Sequence, residues 1–148
     1  MLTEGELLNL MADLESDRVE RTESVKDLDK FCIAACAFAN DLPHHRQSGF
    51  VLVGVDNRGR AVGLSVTDQH LLQLGEVRAS GRVLPIPSVQ VYKIRLSDGS
   101  GEVAVLEVSF LFPCRSKMSR SGIPSRFRSM AQNWQELRPP DQGYFSDE

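Results

Sequence analysis

Phe50-Val-Leu-Val-Gly-Val55 is an unbroken apolar run of strand length, and it constrains the fold more than any other stretch of the chain. A half-exposed strand alternates apolar with polar residues, whereas a strand with no polar position has to be covered on both faces. The run is therefore expected to be a central strand with other elements packed above and below it. Upstream, Leu28, Phe31, Cys32, Ala35 and Phe38 recur at the three- and four-residue spacing that gives a helix one apolar stripe, with Ser24 and Asp27 as start signals. The small residues Ala34, Ala35, Ala37 and Ala39 let that helix approach a sheet closely. Asn40, Asp41 and Pro43 end it, because proline has no amide hydrogen and steers the residue before it out of the helical region. Downstream, Asp56-Asn-Arg-Gly59 reads as a turn, since Asn and Gly accept positive backbone angles, and Ala61 to Leu64 is expected to return as the second strand of a hairpin.

The flanking sequence supplies the other layers. Thr3-Glu-Gly-Glu6 has the form of a capping box opening a helix whose apolar face is Leu7, Leu8, Met11 and Leu14. Ser16 to Glu23 is dense in charge, with Val19 its one apolar residue, and is expected to be a solvent-lined strand or an exposed loop. Thr67 can cap a helix through Leu71, Leu72, Leu74 and Val77 that Gly81 stops, and Pro85 and Pro87 impose an extended connection. Val89 to Leu96 and Val103 to Leu111 flank the turn signal Ser97-Asp-Gly-Ser-Gly101, so they are expected to form an antiparallel hairpin. This order of elements describes an α+β domain with a mixed, mostly antiparallel sheet and packed helices. The domain is expected to span 1–112. Residues 113–148 are rich in Ser, Arg and Pro, show no sustained period, and read as a poorly ordered tail.

Of the 148 residues, 41% are apolar and 25% charged, enough for one domain with a real core. The net charge of −3 does not announce a polyanionic partner, but charge is unevenly spread: residues 1–30 hold nine acids and four bases, and 113–135 hold five bases and no acid. No apolar run approaches the roughly 20 residues of a membrane span and no leader opens the chain, so no membrane association and a cytoplasmic location are expected. Cys32 and Cys36 fall on or beside the helix stripe and Cys114 stands alone, as buried hydrophobes and a free thiol do. There is no Cys-x-x-Cys pair, His44 and His45 lack a third ligand at suitable spacing, and no Gly-x-x-x-x-Gly-Lys loop cradles a phosphate, so the residues call for neither a resident metal nor a cofactor. Ser48 and Ser65 sit in no nucleophile motif.

Three ordered motifs resemble the Schlafen AlbA-type domain, the DNA-binding module of bacterial and archaeal regulators related to RecG-like helicases, of ATP-binding proteins of that group, and of animal Schlafens. Glu15-Ser-Asp-Arg-Val-Glu20 is similar to the family's Glu-Ser-x-x-x-Glu opening strand, Ala37-Phe-Ala-Asn40 to its helix end, and Gly54-Val-Asp-Asn-Arg-Gly-Arg-Ala-Val-Gly63 to its Gly-Val-Asp-x-x-Gly-x-x-x-Gly hairpin. The resemblance covers about residues 14–112. Two departures stand out. The loop Asp41 to Gly49 is longer than the family's Thr-x-Gly-Gly, and Pro113-Cys-Arg-Ser-Lys-Met-Ser-Arg120 lacks the family's aromatic-Lys/Arg-Gly turn and Arg-x-Gly strand, which implies an open sheet edge.

The resemblance implies a prokaryotic, cytoplasmic regulatory module that binds DNA or RNA, with a homodimer as an open alternative. The cations near the matching motifs are Arg18, Arg21, Lys26, Arg46, Arg58 and Arg60, and surface cations bind nucleic acid through phosphate contacts that release counterions without reading sequence. A second implied reading is a Schlafen-type ribonuclease in which Glu15, Glu20 and Asp56 share a Mg²⁺ or Mn²⁺ ion that activates water. That reading carries a geometric demand: residues five apart on a regular strand lie on opposite faces, so a bend would have to bring the two glutamates together. A third is a protein-interaction module with no nucleic-acid role.

Overall fold

The computed structural model describes residues 1–40, 45–84 and 86–110, together with the backbone of 115–116. Its elements are α1 (Glu4–Ala12), β1 (Val19–Thr22), α2 (Leu28–Asn40), β2 (Gly49–Val53), α3 (Asp68–Ala79), β3 (Val83–Leu84), β4 (Val89–Arg95), β5 (Glu102–Val108) and β6 (Arg115–Ser116). Four strands form one sheet in the order β1-β2-β5-β4, and β3 pairs separately with β6. Only β1 and β2 are parallel, Val19 beside Phe50 and Thr22 beside Val53; β5 runs antiparallel to both of its neighbours. The fold is thus α+β with a mixed, mostly antiparallel sheet. Parallel neighbours require a crossover, and α2 makes it.

The apolar run lies where its composition demands. β2 has a strand on either side and all five of its residues are buried. Its alternation splits the core in two: Val51 and Val53 join α2, Leu74 and Val77 of α3, and Leu106 on one face, while Phe50 and Leu52 join Leu7 and Met11 of α1 with Val103 and Val105 on the other. Gly49 lets α2 settle onto β2, because a Cβ there would stand 2.1 Å from Cγ of Phe38. Both predicted helix starts are capped as expected. Thr3 and Glu6 form a complete capping box, and Thr67 caps α3, reciprocally with His70. The Asp27 carboxylate accepts from the Lys30 amide at 3.0 Å, which serves an otherwise orphaned donor at the start of α2.

Two expectations are corrected. Ala61 to Leu64 does not return as a strand; past the kink at Gly54 there is one isolated bridge, Val55 to Ala61, and the chain then leaves to bond β5 through Leu64, whose carbonyl accepts from the Glu102 amide at 2.8 Å. The charged stretch 16–23 does contain a strand, but not a solvent-lined one, since Val19, Glu20 and Arg21 are all buried. The expected tail lies outside the described residues, apart from the two-residue pairing of Arg115 and Ser116 with β3.

α1 crosses the second face of the sheet from edge to edge. At its start the Glu4 carboxylate accepts from the Ser97 amide (2.7 Å) and hydroxyl (2.8 Å) in the β4–β5 turn. At its end the Arg21 guanidinium donates to the Leu10 and Asp13 carbonyls over β1. No helix among the described residues is long and apolar enough to cross a membrane.

Candidate functional site

The cations singled out in the sequence do not share one surface. Arg18 and Arg46 lie at the start of the parallel pair β1–β2, whereas Lys26, Arg58 and Arg60 follow the ends of those strands. Arg21 belongs to neither group. It is 5% exposed, its guanidinium closes the C-terminal end of α1, and burial pulls its pKa down against the pull of Asp13 in the other direction. These contacts commit the Arg21 guanidinium to the end of α1. The residue is buried because β1 alternates: Val19 and Arg21 face α1, so Glu20 faces α2, where its carboxylate meets Lys30 Nζ at 3.0 Å.

At the start of the strand pair, the chain after α2 is tied to the chain entering β1 three times. The Phe50 amide donates to the Arg18 carbonyl (2.8 Å), Arg18 Nη1 donates to the Ser48 carbonyl (3.0 Å), and His45 Nε2 sits 2.9 Å from both carboxylate oxygens of Asp17. Arg46, exposed and at φ 53°, is held between these ties. The pairing of Asp17 with His45 was not readable in the sequence, because it joins residues 28 positions apart.

At the other end, residues 56–60 form a rigid projection. The Asp56 Oδ1 accepts from the Arg58 amide (2.8 Å) and the Arg60 amide (2.9 Å), and the Asp56 amide donates to the Arg60 carbonyl (2.9 Å). These amides, Arg60's first, hold the Asp56 carboxyl below the ordinary carboxylate range, helped by the two nearby guanidiniums. Gly59 adopts φ +77° with its Cα so close to α1 that a Cβ would lie 2.0 Å from the Met11 carbonyl oxygen. The turn is therefore fixed both internally and against the helix end. Arg58 and Arg60 are exposed, and neither forms an ion pair among the described residues.

The three carboxylates of the ribonuclease reading lie in three different settings. Glu15 is exposed in the turn before β1, Glu20 is buried against Lys30 of α2, and Asp56 is engaged by the amides of its own turn. Among the described residues no three His, Cys, Asp or Glu side chains converge as a metal site would need. Alternation along β1 places Glu20 on the α2 side of the strand, beside Lys30.

Cys32 and Cys36 are buried, and burial raises the Cys32 thiol's pKa. A buried acid missed in the sequence is Glu102, 8% exposed. Its carboxylate accepts from the Val66 amide (2.8 Å) and from Arg95 (3.1 Å), with Lys93 Nζ at 3.6 Å, and these groups lower its pKa, the Val66 amide most.

In comparison with known proteins, the family model described as Schlafen, AlbA_2 matches residues 15–125, running past residue 112. No curated protein and no solved structure matches the chain.

Proposed function

The chain belongs to the Schlafen AlbA_2 family, and from that premise we propose that it is a regulatory module that binds nucleic acid by its phosphate backbone. The observation that carries this reading is the turn 56–60, whose rigid backbone holds two exposed guanidiniums that, among the described residues, have no carboxylate from another element against them. Holding the backbone in advance removes part of the ordering cost of binding, and an arginine fork suits a phosphate's paired oxygens. Lys26 reinforces this end of the sheet, and Arg18 and Arg46 form a second contact point at the other end. Because these groups touch phosphates rather than base edges, the affinity carries little sequence preference. Glu15, Glu20 and Asp56 are not grouped, and a metal-dependent ribonuclease is not proposed.

The test is a salt titration of binding to a DNA duplex and to an RNA of equal length. The logarithm of affinity should fall steeply with the logarithm of salt. Replacing Arg58 and Arg60 together by Ala should lower that slope by about 2 for duplex DNA, since each phosphate contact contributes about 0.9. A flat salt response in the parent, or an unchanged slope in the double variant, would overturn the reading. Incubation of structured RNA with Mg²⁺ or Mn²⁺ should leave it intact.

A further inference from the structure

The sheet order leaves β4 at an edge, and that edge is unusually regular. All seven residues Val89–Arg95 pair with β5 in one uninterrupted register, without a bulge. Just beyond the strand ends, the Ser109 amide donates to the Ser88 carbonyl (2.9 Å) and the Leu96 amide to the Gly101 carbonyl (3.0 Å), both in that same register. Antiparallel ladders alternate bonded and non-bonded pairs. Gln90, Tyr92 and Ile94 therefore spend their backbone groups on β5, and Val89, Val91, Lys93 and Arg95 turn theirs outward. Among the described residues no strand lies against this side. An open row of donors and acceptors is a template for another strand, and proteins commonly guard it with charge. Here Glu102 draws both edge cations back onto their own sheet, Arg95 at 3.1 Å and Lys93 at 3.6 Å.

We propose that β4 pairs antiparallel with β4 of a second copy of this chain, about a two-fold axis at Tyr92, joining the two sheets into one of eight strands. The sequence of the edge selects this occupant and register. Pairing about Tyr92 sets outward-bonding residues against outward-bonding residues, Val91 against Lys93 and Val89 against Arg95. No like charges fall directly opposite, and the half-buried Val89 and Val91 are covered by the aliphatic stems of the partner's cations. A shift of the axis by one residue to Lys93 would set lysine against lysine. A shift to Val91 would shorten the ladder. The isologous contact closes on itself and yields a dimer rather than a fibre.

The register makes opposite predictions for two variants at one position. Val91→Lys faces the partner's Lys93 and should weaken association at least tenfold, whereas Val91→Glu faces the same ammonium and should leave the dimer intact. The measurement is molar mass by sedimentation equilibrium across a concentration series, with far-UV circular dichroism of each variant. Hydrogen exchange of the unmodified chain gives an independent reading. The outward amides of Val91 and Lys93 should become protected as concentration rises, while those of Gln90 and Tyr92 are protected throughout. A parent that stays monomeric up to about 1 mM, equal loss of the dimer in both folded variants, or outward amides that exchange freely in the dimer would each overturn the proposal. Protection of those amides only on adding a different protein's extended segment would assign the edge to that partner and likewise overturn it.

Discussion

Arg21 and Arg58 are both arginines near a family motif, and their surroundings give them opposite roles. Arg21 serves two carbonyls at the end of α1 from a buried position, so Arg21→Ala leaves those acceptors unsatisfied and should lower unfolding free energy by about 2–4 kcal/mol in urea titrations. Arg58→Ala removes an exposed side chain that forms no ion pair among the described residues and should stay within about 0.5 kcal/mol of the parent, while weakening nucleic-acid binding. Glu102 makes the corresponding prediction in pH. Its folded pKa is depressed, so the unfolded chain binds the extra proton as the solution is acidified. The stability it contributes is present above its ordinary value and is lost as the pH falls below about 4. Glu102→Gln should therefore be less stable at neutral pH and show a flatter acid limb in thermal melts taken from pH 6 to 2.5. An acid limb parallel to the parent's would contradict this role.

At the scale of elements, Gly49 sets a close approach between β2 and α2. Gly49 lies beneath the Phe38 ring, and any Cβ there pushes on the ring and the ring on α2. Gly49→Val should destabilise strongly, and shortening Phe38 to Ala in the same chain, which removes the ring carbons a Cβ would strike, should recover part of the loss, measured as a double-mutant cycle. Val53, fully buried against the α2 layer, offers a simpler check. Val53→Asp buries an unpaired charge and should cost at least about 4 kcal/mol, enough to leave little folded protein. The turn 56–60 is an element of its own, held by Asp56 and by the approach of Gly59 to Met11. Its failure to continue as a hairpin follows from the same packing, since Leu64 must reach β5 to accept from Glu102.

For the molecule as a whole, one sheet carries both halves of the core. Alternate residues of β2 and β5 supply the α2/α3 cluster and the α1 cluster, so neither can come apart without exposing the other. Denaturation should be a single transition, with circular dichroism and amide exchange of α1 and α2 giving coincident midpoints. Earlier loss of α1 would show that the two layers are independent. The two groups of cations at opposite ends of β1 and β2 have a similar consequence. A ligand gripping both must extend along the strand pair, whereas a single phosphate can meet only one.

Local sequence was sufficient for much of this. Capping at Thr3, Asp27 and Thr67, the helical stripe from Leu28 to Phe38, the doubly covered strand and the hairpin from Val89 to Val108 all depend on neighbours within a few residues, where spacing and capping chemistry act directly. The ordered motifs around Glu15, Ala37 and Gly54 likewise carried the family. What only the tertiary structure decided was the fate of individual charges. Ser16 to Glu23 looks solvated in sequence, yet the alternation of β1 between two packed layers buries Glu20 against Lys30 and Arg21 against the end of α1. Those partners lie 10 and 11 residues away in opposite directions along the chain. Burial and pairing of a charge are set by what packs over it, and no local pattern encodes that.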